Sequence, residues 1–404
     1  MKIILLFALC LVGTEASAFG AWSQKTDFGG TARHRTVMLG VSNRVYTGLG
    51  HYNGGGTNIL FDDWWAYDPA TGSWTQKADY AGGICYHATG FTMNNIAYVG
   101  TGRTSPSGST LVQDFYTYDP VTNMWTQIAD FPGVGRRGAV SFVVGDYAYV
   151  GTGETNSGRS ADFYRFSPAS GSWSPISSMT DARTSSVAFA IDSYGYVGTG
   201  NTSFGSTNDF QRYNPTTDSW EMMASVGAIS RQEACGFALG GKGYLGTGDD
   251  FSSGNNFKDM YEFDPALGTW VQLGDFAGTA RRYLSGTTLG GFAYVGLGTN
   301  GTNFKDFWKF DQTVSLIEQN LNDLEIIAYP NPTVESVQFV VDWNKNVPTT
   351  EMSLNITSMT GQIVYTTLLD ELEAIETNEW ISGSYIYSLV YDNQVVKSGQ
   401  LIVR

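Results

Sequence analysis

Eight of the chain's fourteen arginines stand at one recurring place: Arg33, Arg35, Arg136, Arg137, Arg183, Arg231, Arg281 and Arg282. Each lies in a short polar segment just ahead of an apolar run. A guanidinium is a planar fork of N–H donors that matches carboxylate or phosphate. Gathered at one end of a fold, such groups would form an anion-binding mouth suited to an acidic sugar or a carboxylate-bearing partner. Arg33, Arg136, Arg137, Arg183, Arg231, Arg281 and Arg282 are the candidate ligand contacts. The same spacing admits a structural role. Asp63, Asp114, Asp162, Asp209, Asp259 and Asp306 recur at the start of a later run, and each could pair with an arginine. Glu233, beside Arg231, is the one glutamate placed for general acid–base work; its alternative is a salt-bridged or exposed carboxylate. The second segment breaks the series, with Cys85-Tyr86-His87 where arginine is expected.

Other chemistries find little support. The histidines are three, His34, His51 and His87, with no i, i+4 pair and no Cys-x-x-Cys, so neither a metal nor another cofactor is expected. Asp62-Asp63 and Asp249-Asp250 could hold calcium, but solvated loop carboxylates explain them as well. A net charge of −15 disfavours nucleic acid and anionic membrane, which both require a basic face. Aromatics at 14% and charged residues at only 15% argue against disorder.

The elements that must position these residues repeat six times. Asp63-Trp64-Trp65-Ala66-Tyr67-Asp68-Pro69 returns from Asp114 and Asp162, more weakly from Asp209 and Asp259, and truncated from Asp306. Upstream of each is a Gly-x-Gly, beginning with Tyr46-Thr47-Gly48-Leu49-Gly50, and a tryptophan follows the first five: Trp74, Trp125, Trp173, Trp220 and Trp270. Apolar runs of strand length between tight turns predict four antiparallel strands per unit. The aromatic-x6-Trp spacing, as in Tyr67 and Trp74, resembles the kelch motif, and Gly-x-Gly departs from that family's glycine pair. Over residues 19–311 the resemblance implies an all-β fold, a six-bladed kelch-type β-propeller. The sixth unit lacks its tryptophan strand, whereas Trp22-Ser23-Gln24-Lys25 matches Trp74-Thr75-Gln76-Lys77. The N-terminal strand is therefore expected to close the ring. Cys85 and Cys235 fall on innermost strands across the channel, too far apart to pair.

Both ends read as export signals. Lys2, the apolar run Ile3 to Val12 and Ala16-Ser17-Ala18 predict a signal peptide over 1–18, with no membrane span left in the mature chain. After a polar linker, 312–327, alternating apolar residues predict a small β-sandwich over 328–404. Tyr329-Pro330-Asn331-Pro332, Gly361-Gln362, Gly383-Ser384-Tyr385 and the ending Lys397 to Arg404 resemble the C-terminal sorting domains of the type IX secretion pathway of Bacteroidota. That resemblance implies a partner in the type IX machinery and a secreted or cell-surface location.

The variable loops 51–62, 103–113, 154–161, 201–208, 249–258 and 299–305 fall on the arginine-bearing face, so binding is expected there. The expected function is a binding module for a glycan or a surface protein. Some six-bladed kelch proteins interconvert sugar anomers with a carboxylate and arginines at the channel mouth, so a carbohydrate-active enzyme using Glu233 is the alternative. A structural surface component is the third reading.

Overall fold

The computed structural model describes residues 21–106, 110–251, 253–312, 325–342, 352–369, 372–391 and 394–404. The expected signal peptide and most of the linker lie outside them. The chain divides into a unit that ends at Gln312 and a C-terminal unit that runs to Arg404.

The first unit is built from six four-stranded antiparallel sheets, the blades of a propeller. In blade 1, Val37–Val41, Arg44–Gly48, Trp64–Asp68 and Ser73–Lys77 pair in that order from the channel outward. Along the innermost strands, side chains alternate between two environments, as the period of a strand requires. In blade 3, Val140, Phe142 and Val144 are buried between blades, and Ser141 and Val143 are half-buried. Blade 4 repeats this with Ala188 and Ala190, and blade 5 with Gly236 and Ala238. Small side chains on the channel side leave the axis open.

The recurring residues hold blade to blade. Tyr67 and Trp74 are cross-strand partners with ring centroids 5.1 Å apart. The indole N–H of the outer tryptophan in blades 1 to 5 donates to a carbonyl of the preceding blade, as from Trp125 to Ala78 at 2.9 Å, Trp173 to Ala129 at 3.0 Å and Trp220 to Ser177 at 2.8 Å. Gly-x-Gly does the same on the arginine-bearing side. Its second glycine donates to the next blade from Gly50 to the Cys85 carbonyl (2.8 Å), and so on round to Gly298, which reaches the Arg33 carbonyl (3.0 Å). Two consecutive left-handed residues make this possible, as at Thr152 (φ 58°) and Gly153 (φ 98°). A Cβ on Gly102 would lie 2.5 Å from Cys85 Sγ of its own blade, so only glycine fits where this turn folds back on the segment ahead of the innermost strand.

The strand Ala21–Lys25 pairs antiparallel with Phe307–Asp311 and completes blade 6. Trp22 then packs on Phe276 and Phe310, with centroids 5.0 and 4.8 Å away. Phe28 follows into the core of blade 1 against Trp65 and Trp74.

In the C-terminal unit, Glu325–Tyr329, Ser336–Asp342 and Ile375–Glu376 form one sheet. Ile363–Leu368, Met352–Ser358, Gly383–Tyr391 and Gln394–Val403 form another. Val337, Met352, Leu354, Ile356, Leu389 and Leu401 are its buried core. Gly361, at φ 86°, makes the tight turn expected at Gly361-Gln362.

Candidate functional site: three residues per blade at the channel mouth

The segment ahead of each innermost strand contributes three successive residues with three different roles. The first points into the blade, the second pairs with the loop beyond Gly-x-Gly, and the third faces the channel.

The first residues are Arg33, Cys85, Arg136, Arg183, Arg231 and Arg281. The five arginines have 0% exposure, and each forms a two-pronged ion pair with the aspartate that opens strand three of its own blade. Arg183 meets Asp209 at 2.6 and 2.8 Å, and Arg231 meets Asp259 at 2.7 Å twice. Arg33–Asp63, Arg136–Asp162 and Arg281–Asp306 repeat the pattern. A further bond from Nη1 reaches the carbonyl of the residue between the two glycines, as from Arg281 to Leu297 at 3.1 Å. These five expected ligand contacts are therefore part of the scaffold, because their forks are already filled inside the blade. In blade 2, Cys85 Sγ makes the equivalent bond to the Thr101 carbonyl at 3.4 Å. Asp114 is left without an arginine, and burial pushes its carboxyl up. Cys85 lies ahead of the strand Thr89–Met93 rather than on it, whereas Cys235 does begin its strand. Both thiols are buried and free, and burial pushes each up to about 12.

The second residues, His34, Tyr86, Arg137, Thr184, Gln232 and Arg282, each bridge to the loop opposite: His34 to His51, Arg137 to Glu154, Gln232 to Asp249, Arg282 to Thr299. Arg137 is ion-paired with Glu154 at 2.8 Å. Arg282 reaches Asp249 at 3.5 Å and Glu233 at 3.4 Å. These two are the expected arginines that remain at the mouth.

The third residues, Arg35, His87, Gly138, Ser185, Glu233 and Tyr283, form the inner ring. All six are left-handed, with φ between 56° and 62°. That is rare for a bulky side chain and worth attention as a mark of function. A hoop of backbone bonds imposes it: His87 N–H to the Arg35 carbonyl (3.0 Å), Gly138 to His87 (2.9 Å), Ser185 to Gly138 (3.1 Å), Glu233 to Ser185 (3.0 Å) and Tyr283 to Glu233 (2.8 Å). Glu233 thus precedes the strand Cys235–Leu239 rather than lying on it. Beneath the ring is a channel cavity of ≈ 220 Å³, lined by all six.

The chemistry of this ring is one-sided. The Tyr283 hydroxyl donates to Glu233 Oε1 and accepts from Arg35 Nη2. Arg35 Nη1 donates to His34 Nε2 at 3.0 Å and to His51 Nδ1 at 3.5 Å. The other ring nitrogen of His34 faces Asn303 Oδ1 at 2.7 Å, and that of His51 faces Asn58 Oδ1. Those contacts make both histidines neutral acceptors toward Arg35. Burial, reinforced by the Arg35 charge, holds His34 down to about 3. Burial also lowers His51, and it lowers His87 strongly. Burial pushes Glu233 up to about 7 against the pull of Arg35. Arg35 itself is raised, because Tyr283 and Glu233 outweigh the cost of burying its charge. Arg35 Nε, His87 Nδ1 and Asp249 Oδ1 are buried without a protein partner.

The three histidines of the chain converge on this mouth, at non-equivalent places: His34 is a second residue and His87 a third. Tyr283 and the histidines could have been found by aligning the six segments and asking where the repeat varies. No group of three or more metal-ligating side chains occurs among the described residues, and no helix there is long and apolar enough to cross a membrane.

Comparison with known proteins accounts for both units. A family model for a secretion system C-terminal sorting domain matches residues 327–404. Curated N-acetylneuraminate epimerases of Shigella flexneri, Shigella sonnei and Escherichia coli K12 are 34% identical over 114 residues. That is 28% of this chain and 29% of theirs, so the chain matches under a third of the length of these relatives. The solved structure of YjhT superposes with a TM-score of 0.57 at 16% identity, over 70% of this chain and 95% of that one. At that identity the likeness is one of fold. The chain is a kelch-type β-propeller carrying a type IX sorting domain, a tail that marks it for secretion or the cell surface.

Proposed function

We propose that the propeller is a secreted or surface module that binds a carboxylated sugar at the channel mouth. The observation that carries this reading is Arg35, a guanidinium fixed by two neutral histidines and Tyr283, half-buried over the cavity, with Nε unpartnered. A carboxylate there would meet a preorganised cation in a poorly hydrated setting, where charge-assisted bonds are strong. The partial match to N-acetylneuraminate epimerases, whose named sugar bears a carboxylate, agrees with it. The test is calorimetric titration of the full chain with N-acetylneuraminate, glucuronate and neutral hexoses. Acidic sugars should bind and neutral ones should not, and Arg35→Ala should weaken binding by about 10- to 100-fold. Equal binding of neutral and acidic sugars, or an Arg35→Ala protein that binds as well as its parent, would count against the reading.

Glu233 favours a second reading, exchange of the sugar's anomers. A carboxyl that titrates near 7 can both take and return a proton at neutral pH. As carboxylate it would remove the proton of the anomeric hydroxyl. The ring C–O bond then breaks toward the ring oxygen, which takes a proton from Tyr283. Tyr283 recovers one from Glu233 through their existing hydrogen bond, and the open chain recloses from either face. Exchange NMR should show anomer interconversion that Glu233→Gln abolishes while binding persists. Interconversion at the buffer rate would leave the protein a binder only.

A further inference from the structure

Beside the mouth, between blades 4 and 5, lies a groove of ≈ 410 Å³ whose walls include Phe204, Ile229, Phe251, Ser206, Ser230 and Asp250. Phe204 is 94% exposed, Phe251 72% and Ile229 46%. Aromatic rings left together in water and rimmed by polar groups mark a binding surface rather than a scaffold feature. Phe204 is held out deliberately. Its N–H donates to Thr202 Oγ1 at 3.1 Å, and Thr202 donates onward to the Gly205 carbonyl at 3.0 Å.

The groove is tied to the inner ring through the chain and its hydrogen bonds. Ser230 leads directly into Arg231-Gln232-Glu233, and Arg231 N–H bonds to Thr207, just beyond the Phe204 hairpin, at 3.1 Å. Asn201, at the base of that hairpin, donates to Gln232 at 2.7 Å. Gln232 in turn pairs with Asp249, the neighbour of Asp250.

The ring's asymmetry points the same way. Its bulky groups stand on blades 5, 6, 1 and 2, whereas blades 3 and 4 contribute only Gly138 and Ser185. A ligand whose charged end sits at Arg35 therefore has its open side over Ser185, toward the Phe204 hairpin. The groove walls named above carry one carboxylate and no cation, so the part of the ligand lying there is uncharged. Hydroxyls suit Ser206, Ser230 and Asp250, and the apolar C–H face of a pyranose suits a flat aromatic ring.

We infer that the ligand is an oligosaccharide capped by a carboxylated sugar, with the cap on the Arg35–Tyr283 ring and the neutral units behind it on Phe204 and Phe251. The inference rests on the sugar-binding reading of the mouth and extends it from a single sugar to a chain.

Calorimetric titration of the full chain with N-acetylneuraminate, lactose and sialyllactose tests it, alongside glucuronate and a glucuronate-capped disaccharide. At least one capped oligosaccharide should bind about tenfold or more tightly than its free cap, and lactose should not bind. Phe204→Ala combined with Phe251→Ala should erase that gain and leave the free cap's affinity unchanged. Equal affinity for cap and capped chain, or a gain that survives the double substitution, overturns the groove and leaves the mouth standing. Binding of neither cap nor capped chain overturns both. Self-association that the double substitution abolishes would make the groove a protein contact and also defeat the inference.

Discussion

Two residues of displacement separate scaffold from candidate site in this protein. Arg33 and Arg35 are two apart, yet the first is sealed inside a blade and the second stands over the channel. The sequence could not distinguish them, because the left-handed turn that swings the third residue inward is imposed by bonds to neighbouring blades and not by its own type. Glu233 shows what that position does to a carboxyl. Its folded value near 7 lies above the 4.5 of an unperturbed glutamate, so between those pH values the native state keeps a proton that the unfolded chain has lost. Stability from this group is full below pH 4.5 and falls as pH rises to about 7, by at most ~3 kcal/mol. The histidines act in the opposite sense. His34, held down to about 3 from 6.5, costs stability as pH falls through that window. Subtracting the melting profile of Glu233→Gln from that of the parent should isolate a decline confined to pH 4.5–7. Parallel profiles would mean that Glu233 titrates as an ordinary surface carboxylate.

At the level of the blade, the informative contrast is between what repeats and what does not. The aspartate, the tryptophan, Gly-x-Gly and the first arginine recur almost unchanged; the arginine and aspartate clamp each blade within itself, and the tryptophan and Gly-x-Gly join one blade to the next. The blades and their strands were legible from those recurrences, and so was the face that carries the arginine-bearing segments. The inner ring was not, since its residues never repeat: arginine, histidine, glycine, serine, glutamate, tyrosine. The arginine–aspartate clamp has a testable weight. Arg231→Met would strand Asp259 in a largely buried place and should cost about 3–5 kcal/mol in denaturant unfolding. Adding Asp259→Leu should recover most of it, because a pair removed whole leaves no uncompensated charge. Blade 2 is the natural precedent, with Cys85 and a lone Asp114. If Arg231→Met alone were neutral, the clamp would be ornamental.

For the whole molecule, ring closure links the start of the propeller to its end. Ala21–Lys25 gives blade 6 its outer strand, and Phe28 enters blade 1 beside Trp65 and Trp74. Deleting residues 19–27 removes that strand and bares the edge of Phe307–Asp311. The truncated chain should melt well below its parent and aggregate through the exposed edge; an unchanged melting temperature would show that six blades hold without closure. The inner ring has another implication. Its six positions share one backbone geometry whichever residue occupies them, from glycine to tyrosine. Side chains there can be exchanged by mutation without renegotiating the fold, like letters in a fixed word frame. Two proteins with superposable propellers can therefore differ wholly in what they recognise, and six letters, read in blade order, would be the place to look for descent of a shared specificity.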